Sequence, residues 1–203
     1  MRDPYGSPMD GMTWMASAMR AARTQLEIAT NNLANAGSDG FRRARATVAF
    51  TPEGLRAAGN RVDAQGGIRE TGRRFDLALI GPGAFAVAGE ATRCGAFVRD
   101  RFGMLVDDRG RPLLAGRGPI HVSPEATVEA DGTVRDGSRI AGRIPLPAGT
   151  TIRSGALEAS NVDAISETLA ILSAQRAFET AQKTLVAIDE TRQKAVNDVV
   201  RVK

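Results

Sequence analysis

The chain has 203 residues, 42% of them hydrophobic but only 4% aromatic. That suffices for one or two folded domains, yet seven Phe, one Trp and one Tyr are thin material for a large enzyme-like core, because aromatics normally supply much of the buried area. The net charge is +4, but arginines alternate with acids and the three lysines (Lys183, Lys194, Lys203) sit near the C-terminus, a pattern of solvated surface; a basic DNA-binding protein is the alternative reading.

Ser7, Pro8 and Asp10 have the form of a helix start, with a capping serine, proline at the first helical position and an acid three residues after the cap. Residues 1–7 are then a tail. Met12, Met15, Met19, Ala22, Leu26, Ala29, Leu33 and Ala36 recur at alternating steps of three and four, the spacing of a narrow helical seam. A helix from Pro8 to Ala36 would be about 44 Å long, and Gly37, Ser38, Asp39 and Gly40 would end it. Its last turns hold three asparagines in five residues, "NNLAN" (Asn31, Asn32, Leu33, Ala34, Asn35). Asn is an indifferent helix former that tends to bond its own backbone, so a role beyond local helix stability is expected.

From Phe41 to Gly155 the texture changes to short alternating runs punctuated by turns. "FDLALIGPGAFAV" (Phe75–Val87) reads as strand, Gly-Pro-Gly turn, strand. Phe97–Val106, the turn "DDRG" (Asp107–Gly110) and Arg111–Leu114 read as a hairpin, and Asp131-Gly132 marks another. "GRIPLPAGT" (Gly142–Thr150), with two prolines, reads as a return linker. At the far end Ile171, Ala174, Phe178, Ala181, Leu185, Ile188, Ala195 and Val199 repeat the three-four step, interrupted by Arg192, and Ser160 with Asp163 marks the start of that helix. Each stripe requires a partner, either the other helix or another subunit.

The expected fold is α+β: long N- and C-terminal helices pairing as a coiled-coil-like bundle, with an inserted all-β domain. The divisions are a tail at 1–7, an N-terminal helix at 8–40, a β-rich domain with its return linker at 41–155, and a C-terminal helix at 156–203.

A search for chemistry comes back empty. His121 is the single histidine, so at most one Ser-His-Asp arrangement could exist, and Ser123 sits too near in sequence to show one; a strand-end histidine without a catalytic role is the favoured reading. One His and one Cys leave no zinc-like ligand set. Cys94 has no disulfide partner and no neighbouring histidine in sequence, which fits a small buried or half-buried side chain rather than a reactive thiol. Asp107-Asp108 lacks the spaced oxygen ligands of a calcium loop. "GPGAFAVAG" lacks the third glycine and the lysine of a phosphate loop, and its proline removes an amide donor. No catalytic residue, cofactor, metal or small-molecule substrate is expected. No stretch is apolar enough to span a bilayer, and the N-terminus lacks a basic region followed by an apolar one. The expectation is therefore cytosolic residence or exit by a route without a cleaved signal.

"NNLAN" followed by "DGF" (Asp39–Phe41) and a basic pair resembles the N-terminal signature of the axial rod and hook proteins of the bacterial flagellum. "SGALEASNVDAISETLAILSAQRAFETAQKTL" is similar to the closing segment of the same family, through Gly155, Leu157–Val162 and Gln175–Glu179. "FDLALIGPGAFAV" and "FVRDRFGMLVDDRGRPLLA" resemble the family's β-rich rod domain, although Arg135–Thr151 is short by comparison. Within the family the lead-in from Met9 and "NNLANAGSDGFRR" lean toward the proximal rod protein over the distal one.

The resemblance implies a structural subunit of the basal-body rod. Its location would be the periplasm-spanning rod, reached by flagellar type III export without a cleaved signal. Its partners would be itself, other rod proteins, and hook-side and export-gate-side axial components, with no nucleic acid and no membrane insertion. The residues expected at the assembly interface are Met19, Leu26, Asn31, Asn32, Leu33, Asn35, Gly40, Phe41, Leu157, Glu158, Asn161, Val162, Gln175, Arg176, Phe178, Leu185 and Ile188.

Overall fold

The computed structural model describes residues 10–116 and 118–201. Among them are two helices and many short antiparallel strands, a mixed α+β fold. The chain divides into two compact units, one made of both helices with the segment Ala44–Val62, the other of Asn35–Arg43 with Asp63–Val162. Sequence reading placed 41–155 in one β-rich domain; residues 44–62 instead belong with the helices.

In the helical unit, α1 (Gly11–Ala34) has 24 residues. The expected tail and the Ser7-Pro8 cap lie outside the described residues. The helix ends two residues before Ala36, where Asn35 turns the chain: Ser38 N donates to Asn35 O (3.1 Å) and Ser38 Oγ to Asn35 Oδ1 (3.2 Å). Such local side-chain bonds are why Asn and Ser favour helix ends over helix interiors.

α2 (Ala164–Arg201) has 38 residues. Its cap is Asp163, whose carboxylate accepts from Ile165 N and Ser166 N, each at 3.3 Å. Sequence reading began this helix at Ser160; that hydroxyl instead accepts from Val162 N (3.2 Å) in the segment leading to the cap. Asp163 wins because its charge also complements the positive end of the helix dipole.

The two helices run antiparallel. Asp10 ion-pairs with Arg192 at one end, and Asn32 reaches Glu167 at the other (3.1 Å). Between these ends the small seam residues Ala22, Ala29, Ala174 and Ala181 are buried, as close backbone approach requires. Arg192, which breaks the apolar repeat, is the residue that pairs with Asp10.

β1 (Ala44–Thr51) and β2 (Gly54–Arg61) form a hairpin in register from Ala44 opposite Arg61 to Thr51 opposite Gly54. It is tied to α1 by Ser17, whose hydroxyl accepts from Leu55 N (3.0 Å) and donates to Trp14 O (2.7 Å). The Trp14 and Phe50 rings stack with centroids 6.1 Å apart.

The second unit holds β3 (Ile68–Glu70), β4 (Leu77–Ile80), β5 (Phe85–Val87), β6 (Glu90–Thr92), β7 (Val98–Arg99), β8 (Leu105–Val106), β9 (Leu114–Ala115), β10 (Gly118–Pro119), β11 (Thr127–Val128), β12 (Thr133–Asp136), β13 (Arg139–Arg143), β14 (Thr151–Ser154) and β15 (Ala156–Glu158). The expected hairpins at "DDRG" and Asp131-Gly132 are present: Val106 bridges Pro112, with Asp107 Oδ1 accepting from Arg109 N and Arg111 N, and β11 pairs with β12. The strands flanking Gly81-Pro82-Gly83 do not pair with each other, since β4 pairs with β14 and β5 with β6.

Nor is Gly142–Thr150 a free linker. It contains the end of β13 and Ile144, which is 1% exposed in a core that includes Leu77, Leu79, Phe85, Leu105, Leu113 and Ile120. Phe85 and Phe97 meet edge to face there, with centroids 5.3 Å apart. Two ring contacts of this economy are consistent with the low aromatic content.

Candidate assembly surface

The asparagine cluster resolves into different jobs at different positions. Asn32 is fully buried. Its Nδ2 donates to Ala44 O (2.7 Å) and Glu167 Oε2 (3.1 Å), and its Oδ1 accepts from Ala44 N (2.9 Å). One amide therefore replaces both backbone partners that the first residue of β1 would otherwise seek, while also meeting the buried Glu167 carboxylate of α2. An amide is suited to this because it offers donor and acceptor together. Asn31, one position earlier, is exposed.

In the second unit, the "DGF" and "LEASN" stretches lie against each other. Gly40 N donates to Glu158 O (2.6 Å) and Asn161 N to Phe41 O (3.3 Å). Asn161 Oδ1 accepts from Arg43 N (2.6 Å) and its Nδ2 donates to Ala64 O (2.7 Å). Gly40 has φ of 72°, and a Cβ there would fall 2.3 Å from Arg93 C and Cys94 N, so no other residue fits without backbone movement.

Glu158 is buried between two arginines, bonded to Arg42 (2.9 Å) and to Arg93. Arg93 uses its whole fork: Nε and Nη2 reach Glu158, Nη1 reaches Gly81 O (2.7 Å) and Gly83 O (3.0 Å), and Nη2 reaches Leu79 O (2.9 Å). A buried carboxylate is tolerated only with such complete pairing.

Of the residues expected at the interface, Asn32, Leu157 and Glu158 are buried within their own units. Met19, Leu26, Leu33, Asn35, Gly40, Phe41, Asn161, Val162, Phe178, Leu185 and Ile188 are half-buried, and Asn31, Gln175 and Arg176 are exposed.

Sequence reasoning missed a second row on α2. Ile165, Leu169, Leu172 and Val186 are 74, 62, 46 and 52% exposed. At 100° per residue they lie on the side opposite Ala174, Ala181 and Leu185, the row that faces α1. Arg176, Glu179, Lys183 and Glu190 complete that outer side, so its N-terminal part is apolar and its C-terminal part charged. The signal was in the sequence, as a separate four-three step displaced from the first seam.

Elsewhere several surface arginines are partnered by acids, as in Arg69 with Asp39, Arg74 with Glu125, Arg143 with Asp131, and Arg111 with both Glu90 and Asp107. Among the described residues no group of three or more His, Cys, Asp or Glu is placed to hold a metal, and no helix is long and apolar enough to cross a membrane.

Comparison with known proteins falls on the same segments. Residues 14–42 match the family described as "Flagella basal body rod protein", and residues 153–198 match "Flagellar basal body rod FlgEFG protein C-terminal". The chain is 31% identical to the flagellar basal-body rod protein FlgF of Caulobacter vibrioides, over 92% of this chain and 96% of that protein. It is 28% identical to the flagellar basal-body rod protein FlgG of Bacillus subtilis, over 89% and 96% of the respective chains. The flagellar hook protein FlgE of Brucella abortus is 35% identical over 54% of this chain and 31% of its own length. The alignment to the Caulobacter protein runs to 235 positions, longer than this chain, so that relative carries stretches lacking here. Two family segments in order, with full-length similarity to rod proteins, establish that the chain belongs to the flagellar basal-body rod protein family and is a structural protein, not an enzyme.

Proposed function

We propose that the chain is a subunit of the axial rod of the flagellar basal body, polymerising through its terminal helices into the shaft that transmits torque to the hook. Its partners are further copies of itself and the other rod, hook-side and export-gate-side axial proteins. The observation that carries this reading is the second apolar row on α2. One side of that helix packs on α1, and the opposite side presents Ile165, Leu169, Leu172 and Val186 to solvent. An apolar row of this kind on a helix marks a protein contact, and covering each side chain would contribute about 1.5–3 kcal/mol.

In the assembled rod the helix pair continues as a coiled-coil-like bundle with neighbours, using the outer row together with Asn31, Gln175 and Arg176. The strands of residues 63–162 form a β domain of their own. Asn32 and Glu158 support assembly indirectly, Asn32 within the helical unit and Glu158 within the strand-rich unit. Within the rod the chain takes a proximal position. Isolated basal bodies stripped of their membrane rings provide the test. The account expects this chain in the remaining axial fraction, detected by mass spectrometry; its absence from that fraction would contradict the assignment.

A further inference from the structure

We propose that residues 150–161 form a strap that closes the strand-rich unit last, with Glu158 as its latch. The strap supplies β14 and β15, whose ladder partners β4 and β3 lie far earlier in the chain. Further backbone bonds also reach back along the chain: Gly155 N donates to Asp76 O (2.8 Å), Ala159 N to Gly67 O (2.8 Å) and, over a shorter span, Ile152 N to Ala130 O (2.9 Å). No local turn brings these segments together, so they pair only after the loop-closure entropy of a long intervening chain is overcome.

The latch follows from burial. Arg93 is 3% exposed and the Arg42 side chain 6%, and Glu158 is the carboxylate that both meet. Without Glu158 in place, the buried Arg93 guanidinium would face only the carbonyl oxygens of Leu79, Gly81 and Gly83, which strongly opposes closure. Glu158 also holds Gly40 through its carbonyl, and Gly40 lies directly on the Arg93–Cys94 peptide. Lifting the strap thus frees Gly40 and uncovers Cys94, whose thiol is half-buried and raised in pKa chiefly by burial.

The chain carries its own pair of probes, since Trp14 in the helical unit and Cys94 in the strand-rich unit are each the single residue of their kind. The experiment labels Cys94 of the full chain with iodoacetamide across a urea series while Trp14 fluorescence is recorded. Glu158→Gln keeps the shape and removes the charge. Gly66→Ala leaves every charge intact but would place a Cβ 1.9 Å from Ala159 O, prying at the strap. Both variants are expected to label at least tenfold faster than the unaltered chain at zero urea. The acceleration should show a urea slope well below that of global unfolding, with the Trp14 transition unmoved; complete loss of Cys94 protection with an intact Trp14 transition is the same result in stronger form. Acceleration below tenfold in either variant overturns the proposal. So does acceleration carrying the full slope of unfolding, or one accompanied by loss of the Trp14 transition, because these are the marks of an ion pair that supports the fold as a whole.

Discussion

Replacing Asn32 by Ala isolates the amide clamp at the start of β1. The substitution removes two donated bonds and one accepted bond, at 2.7, 3.1 and 2.9 Å, in a side chain with no exposed surface. At about 1 kcal/mol net per hydrogen bond, three bonds give ~3 kcal/mol, and the Ala44 backbone and the buried Glu167 carboxylate left with fewer partners push the value upward. Alanine's better helix propensity returns only about 0.5 kcal/mol. Trp14 reports directly on this unit because its ring stacks on Phe50 of the same hairpin. Urea unfolding followed by Trp14 fluorescence should therefore show a loss of ~3 kcal/mol with little change in slope, while Cys94 labelling in the other unit stays as before. In cells the variant should assemble poorly. A loss below about 1 kcal/mol would refute the clamp, and normal swimming by a variant that does lose stability would separate the clamp from assembly.

The outer row of α2 should behave in the opposite way. Leu169→Glu, at a side chain 62% exposed, should change the stability of the isolated chain by less than about 0.5 kcal/mol yet abolish motility; swimming at normal speed would remove Leu169 from the interface. Gly40→Ala should destabilise the strand-rich unit by more than about 2 kcal/mol, since both the positive φ and the 2.3 Å approach to Cys94 N forbid a Cβ; unchanged Cys94 protection would count against this. Asp136 is held below its usual 3.8 first by the Ser123 hydroxyl and then by the Ser123 amide. A carboxylate whose pKa is depressed on folding contributes stability that is present above pH 3.8 and is lost as pH falls through the lower folded value. Asp136→Asn should thus flatten the acid limb of the stability curve below about pH 4, and an unaltered acid limb would discount the Ser123 bonds.

What the sequence made legible follows from how local each signal is. The three-four seams identified both helices, because amphipathic periodicity is carried within a dozen residues. Glycine turns located the hairpins at Asp107–Gly110 and Asp131-Gly132 for the same reason. Strand partners were not legible: β4 pairs with β14 rather than with β5 across Gly81-Pro82-Gly83, and nothing near Leu77 announces Ser154. Likewise the meeting of Arg93 with Glu158, 65 residues apart, leaves no trace in either neighbourhood.

The asparagine cluster shows the boundary most clearly. Three amides at a helix end signalled a purpose. That Asn32 turns inward onto Ala44 while Asn31 stays exposed depends on a hairpin packing against the helix, which periodicity cannot report. Ile165, Leu169 and Leu172 were readable in principle, but a single helix with two apolar rows contradicts the usual division into one buried and one polar face. That contradiction is what the proposed second burial, against neighbouring subunits, would require of the chain.

Deleting the gene and imaging purified basal bodies tests the central claim most directly. The account predicts non-motile cells whose rods stop short of the hook, the stopping point giving the position of this subunit along the shaft. Complete rods with attached hooks in the deletion strain would contradict it.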